Sequence, residues 1–149
     1  MSSRFPRQAA RRGFTLIELM IAMAALAILA SAALPTFHES IARARRSEMQ
    51  AALLEDAGYM QHYYASHDAF MGTPPPQLPF ARTPRTGAAN YAITVSVPAA
   101  DPASFVLTAQ RTGAMGADAC GDFTYDSPGQ RGLVAGTVAP GRDVASCWR

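Results

Sequence analysis

Residues 14–34, FTLIELMIAMAALAILASAAL, form an apolar run in which Thr15, Glu18 and Ser31 are the only polar side chains, and Pro35 closes it. Drawn as a helix, the run is about 31 Å long, near the hydrocarbon thickness of a bilayer, so it has the length to cross a membrane. Arg4, Arg7, Arg11 and Arg12 precede it and favour a cytoplasmic N-terminus, while Arg43, Arg45 and Arg46 follow closely enough to weaken that asymmetry.

The acid at position 18 is the feature to explain. A charge near the bilayer centre costs about 3 kcal/mol on insertion, less toward an end. An ordinary secretory signal peptide, cleaved at the A-x-A sequence of residues 30–32, accounts for the basic start and the apolar run but has no use for Glu18. The helical pattern also continues past that cut. Met49, Leu53, Ala57, Met60 and Tyr64 recur at spacings of three and four, which places them on one face. Glu39 precedes Arg43 by four residues and Glu48 follows Arg45 by three, so surface ion pairs are expected at both. One helix is therefore expected over about residues 14–65, with a kink at Pro35, where a backbone donor is missing.

Composition sets further bounds. Every basic residue is arginine, and thirteen arginines against eleven acids give a charge of +2. Residues 1–13 carry four of those arginines, and without them the balance is −2, so removal of that segment reverses the sign. Cys120 and Cys147 are the only cysteines, with no CxxC and no histidine spacing suited to zinc. In an oxidising compartment they provide one disulfide; in the cytosol they would be buried thiols.

After residue 65 the text changes. Residues 66–90 hold five prolines and two glycines and read as a connection. Residues 90–97, NYAITVSV, then alternate, with Tyr91, Ile93, Val95 and Val97 on one face. A turn-rich stretch separates them from 104–110, where Phe105, Leu107 and Ala109 form an inward face, and the two strands are expected to pair as an antiparallel hairpin. A third strand is expected at 122–126 and a fourth near 133–138. The Met49-to-Tyr64 stripe supplies the cover that such a sheet needs. The expected class is α+β: a long N-terminal helix, transmembrane in its first half, packed on a small antiparallel sheet of three to four strands.

The stretch GFTLIELMIAMAALAILASAALPTF resembles the N-terminal signature of type IV pilins and of the pseudopilins of type II secretion. The shared features are a basic leader ending in glycine, a phenylalanine, a glutamate four residues later, an apolar helix and a proline at its far end. Residues 120–148 resemble the C-terminal part of PilE-like minor pilins, in which two cysteines bracket the last segment. The resemblance implies the pilin fold and four regions: a leader at 1–13, a transmembrane and filament-core helix at 14–35, its amphipathic continuation at 36–66, and a sheet with a disulfide-bracketed region at 67–149.

It also implies roles for particular residues. A prepilin peptidase would cut between Gly13 and Phe14, and Phe14 would become N-methylated. Glu18 would neutralise the terminal amine of a neighbouring subunit, and Cys120 would bond to Cys147. The implied partners are other pilin subunits, the peptidase, an inner-membrane assembly platform and, before assembly, membrane lipid. The implied location is the inner membrane and then the extracellular pilus. The expected function is a structural subunit of a type IV pilus, of the minor kind. The alternatives are a type II secretion pseudopilin or an exported soluble binding domain with an ordinary signal peptide.

No catalytic, metal or cofactor constellation is expected. His38, His62 and His67 match no ligand spacing, and Ser40 and Ser47 stand on a helix without a nucleophile elbow. Arg43, Arg45 and Arg46, with Tyr59, Tyr63 and Tyr64 further on, can be drawn as a nucleic-acid surface that combines charge with stacking. Some pilins take up DNA, which keeps DNA among the partners. It ranks behind the plainer reading, in which the arginines pair with glutamates and the tyrosines pack under the sheet.

Overall fold

The structure, a computed structural model, describes residues 13–72 and 75–149, without the side chains of residues 32–35. The expected leader lies outside the described residues except for Gly13. The chain divides into two units, residues 1–39 and 40–149, and helix α1, Leu16–His67, contributes to both. Position 35 falls inside that helix, with the Pro35 side chain outside the described set.

In the first unit α1 begins with a reciprocal cap. The Glu18 N–H donates to Thr15 Oγ1 at 3.3 Å, and the Thr15 N–H donates to Glu18 Oε2 at 3.4 Å, satisfying two of the donors that a helix start leaves open. Residues 13–31 are all exposed, among them Leu16, Ile17, Leu19, Met20, Ile21, Met23, Leu26, Ile28 and Leu29.

In the second unit the same helix is amphipathic, and Met49, Ala52, Leu53, Ala57 and Met60 are buried, with Tyr64 packed at the edge. The helix ends at His67 because Asp68 turns left-handed, with φ 54°, while its N–H still reaches the Tyr64 carbonyl at 2.7 Å. The sheet is a five-stranded antiparallel meander in chain order: β1 Arg82–Thr83, β2 Tyr91–Ser96, β3 Val106–Arg111, β4 Phe123–Asp126 and β5 Arg131–Leu133. Registers Ile93↔Ala109 and Ala109↔Phe123 align the inward residues into one apolar face. That face packs Tyr91, Ile93, Phe105, Leu107, Ala109 and Phe123 into one core with the helix stripe.

The sheet has five strands where three to four are expected. The extra strand, β1, lies in the proline-rich connection and pairs only through Arg82↔Ala92 and Thr83↔Tyr91. Proline, which lacks the donor a central ladder needs, is tolerated beside so short an edge strand. The last strand starts earlier than expected, at Arg131. Asp126 Oδ1 accepts the Gln130 N–H at 2.6 Å and Gly129, with φ 87°, closes the turn, so pairing resumes at once, whereas residues 134–138 form turn and loop.

A short helix, α2 (Val144–Cys147), was not expected. Asp143 caps it, accepting the Ser146 N–H at 2.8 Å. The next residue, Trp148, is buried against Phe123, and its indole N–H donates to the Gly132 carbonyl at 2.9 Å. A Cβ at Gly132 would collide with the Thr124 hydroxyl, which explains a glycine in this strand.

Candidate functional site: an unpartnered apolar helix and two kinds of arginine

The N-terminal unit is chemically simple. Phe14 is 85% exposed, Gly13 is exposed beside it, and a Cβ at Gly13 would meet nothing within 4 Å. The helix that follows passes the length and apolarity test for a membrane span. Glu18 is the only charged side chain among residues 13–31, and among the described residues its hydrogen bonds are with Thr15. The sequence missed this second duty of Glu18, although the T-x-x-E spacing that signals a capping box is present in the text.

The arginines separate into a buried kind and an exposed kind. Arg46 is only 3% exposed and grips Asp118 with two bonds, Nε to Oδ2 at 2.9 Å and Nη2 to Oδ1 at 2.5 Å. Tyr91 adds its hydroxyl to Asp118 Oδ2 at 3.3 Å, and Arg111 Nη1 donates to the Asp118 carbonyl. Burial, and after it the Asp118 charge, pushes the Tyr91 phenol well above its ordinary value, so it remains a donor here. This knot ties α1 to the segment between β3 and β4. It also corrects the sequence-based cluster of Arg43, Arg45 and Arg46, since Arg46 faces inward. Among the described residues no ion pair joins Arg45 to Glu48, and Arg45 Nη1 instead approaches Met115 Sδ at 4.0 Å.

Arg82 and Arg85 are the exposed kind. The Arg85 guanidinium lies 3.8 Å from the centroid of the Phe80 ring, and Arg82 Nη2 donates to the Arg85 carbonyl at 3.0 Å. Among the described residues no carboxylate pairs with either, so two oriented cations remain available on one short segment. No sequence pattern singled them out, because they sit in a stretch read as a connection. The segment is held from below by Asp56 on α1, which is fully buried and accepts the Phe80 N–H at 2.9 Å.

The remaining expected sites sort as follows. Cys120 and Cys147 are bonded and both buried. His38, His62 and His67 are exposed, and His67 stacks on Tyr63 at 4.1 Å. Tyr64 packs on Phe70, while Tyr59 leans on Tyr63. Among the described residues no group of three His, Cys, Asp or Glu side chains is placed to hold a metal.

Comparison with known proteins follows the same division of the chain. Residues 8–34 match the prokaryotic N-terminal methylation motif, and residues 35–124 match the family described as type IV minor pilin ComP, DNA uptake sequence receptor. A fimbrial protein of Neisseria meningitidis serogroup B is 40% identical over 62 residues, which are 42% of this chain and 36% of that protein. A fimbrial protein of Moraxella nonliquefaciens is 59% identical over 39 residues, 26% of this chain and 25% of that one. The matched part is thus about a third of these relatives' length or less. Among solved structures, the Neisseria meningitidis non-core minor pilin PilV aligns over 70% of this chain and 98% of its own, with 22% identity and a TM-score of 0.49. A type IV pilin from Shewanella oneidensis aligns over 68% and 94%, with 22% identity and a TM-score of 0.45.

Proposed function

The chain belongs to the type IV minor pilin ComP family, and from that membership we propose that it is a minor subunit of a type IV pilus that presents a DNA-binding surface. The observation that carries the subunit reading is the exposure of every described residue from 13 to 31 in an apolar helix with a single acid. Such a surface is costly in water and is stable in lipid before assembly or against neighbouring helices afterwards.

On this reading the peptidase cuts between Gly13 and Phe14, Phe14 is N-methylated, and the N-terminus faces the cytoplasm until the assembly platform extracts the subunit. Glu18 then exchanges part of its bond to its own Thr15 for the terminal amine of a neighbouring subunit. A buried acid without a cation would oppose packing, whereas a matched pair fixes register. A bend at Pro35 would let the apolar and amphipathic parts take different directions.

Sequencing of the mature N-terminus tests the processing: a start at Phe14 is expected, and a start at Ala33 would mean an ordinary signal peptide and sink the reading. Glu18→Ala should still be cleaved and should fold its second unit, yet be depleted at least tenfold from sheared filaments. Undiminished incorporation would remove the role given to Glu18. A pseudopilin is separated by deletion of the gene: lost enzyme export with intact twitching motility would favour it.

The DNA part is supported by the family's description together with the Arg82 and Arg85 pair. Two exposed cations that form no ion pair among the described residues, one of them braced on an aromatic ring, are suited to phosphate contacts. On this reading the contact lies at residues 82–85 rather than at the helix cluster that the sequence suggested.

A further inference from the structure

Asp56 is the buried acid that none of these readings uses. It stands in the core stripe of α1 between Leu53 and Met60, fully buried, with Oδ1 accepting the Phe80 N–H at 2.9 Å and Oδ2 without a hydrogen-bond partner among the described residues. An ionised carboxylate in a dry site with one hydrogen bond is costly, and an apolar residue would fill the stripe better. What the acid does instead is hold a particular backbone amide. Phe80 is the residue whose ring supports the Arg85 guanidinium, and Arg85 in turn accepts from Arg82. The chain of contacts therefore runs from the helix, through one carboxyl, to the two exposed cations.

The geometry points to Asp56 as a pH-responsive anchor: as a neutral acid it holds the Phe80 segment, with Arg82 and Arg85, against α1, and on ionising it weakens that hold. The consequence for DNA rests on the reading of Arg82 and Arg85 as the contact, whereas the anchor itself does not. The charges that reach Asp56 are Glu55 on its own helix and Arg85 on the segment, and among the described residues no ion pair compensates it from the sheet.

Burial pushes the Asp56 carboxyl up to about 6, the Phe80 amide opposes the rise, Glu55 adds to it and Arg85 opposes it. Because the closed-state value lies above the ordinary 3.8, protonation favours the closed segment. The hold is complete below about pH 4, is lost progressively as the pH rises to about 6, and is constant above that. One proton is involved, so opening increases by about tenfold per pH unit inside the window, and by about a hundredfold across it.

Two measurements on the full chain in detergent micelles test this. Hydrogen exchange at the Phe80 amide, corrected for intrinsic rate, should accelerate by about a hundredfold from pH 4 to pH 6.5, ahead of core amides such as Leu107. In Asp56→Asn the acceleration should vanish. The carbon-13 shift of the Asp56 carboxyl in the unaltered protein, which does not depend on any variant folding, should titrate near 6. A midpoint near 4, a pH-independent Phe80 amide, or the same acceleration in Asp56→Asn would each overturn the anchor. If the anchor behaves as described while Arg82→Ala and Arg85→Ala leave affinity for duplex DNA unchanged, the anchor stands and the DNA reading fails.

Discussion

At the scale of single residues, burial decides what a charge is for. Arg43, Arg45 and Arg46 fall within four consecutive positions, yet Arg43 is exposed and Arg46 is enclosed with Asp118 and Tyr91. Replacing one partner of a buried pair leaves the other desolvated and unmatched, a loss of about 3–5 kcal/mol. Arg46→Ala is therefore expected to lower stability by about that amount, and Arg43→Ala by less than about 1 kcal/mol. Thermal melts of the two variants in micelles check the contrast, and equal effects would contradict the distinction. Position 46 lies three residues before Met49 and seven before Leu53, which puts it on the buried face by helical periodicity. The charge at that position points the other way, toward the surface, and only its pairing with Asp118 lets periodicity prevail.

At the scale of elements, legibility follows the strength of the local pattern. The helix stripe at Met49, Leu53, Ala57 and Met60 and the alternation at Tyr91, Ile93, Phe105, Leu107 and Ala109 were readable because apolar periodicity reports burial directly. β1 was not, since its two residues gain their pairing from β2 and carry no period of their own. α2 was missed for a similar reason: four residues held by the Asp143 cap, the following Trp148 and the bond from Cys147 to Cys120 depend on contacts distant in sequence. That dependence can be measured. On the chain-entropy model, a loop with a sequence separation of 27 contributes about 3.5 kcal/mol. Cys147→Ser should lose roughly that stability, and because Trp148 is the only tryptophan, its emission should shift to the red as the C-terminal segment detaches. Reductant applied to the unaltered protein should reproduce the shift. An unchanged emission in both cases would mean that Trp148 is held by its ring contacts and its bond to Gly132 alone.

At the scale of the molecule, the two units differ in the surface they expose and in formal charge. Residues 40–149 carry nine arginines and nine acids, so this unit has no net formal charge, and attraction for a polyanion must come from how the charges are arranged. The structure arranges them unequally. Asp118 is consumed by Arg46, Asp122 lies beside Arg111 with an oxygen 3.7 Å from its guanidinium, and Asp56 is withdrawn into the core. Three acids are thus paired or buried while Arg82 and Arg85 stay exposed. A binding mode of this kind is dominated by phosphate contacts and must be sensitive to salt, with a slope in log affinity against log salt of about −0.9 for each contact. Removing both Arg82 and Arg85 is expected to weaken duplex binding roughly uniformly across sequences and to reduce the magnitude of that slope by about 2. Arg43→Ala, on the helix away from this segment, should leave the slope unchanged. Titrations of labelled duplex at several salt concentrations read out all three proteins, and a slope that falls with Arg43→Ala but not with the double variant would return the contact to the helix.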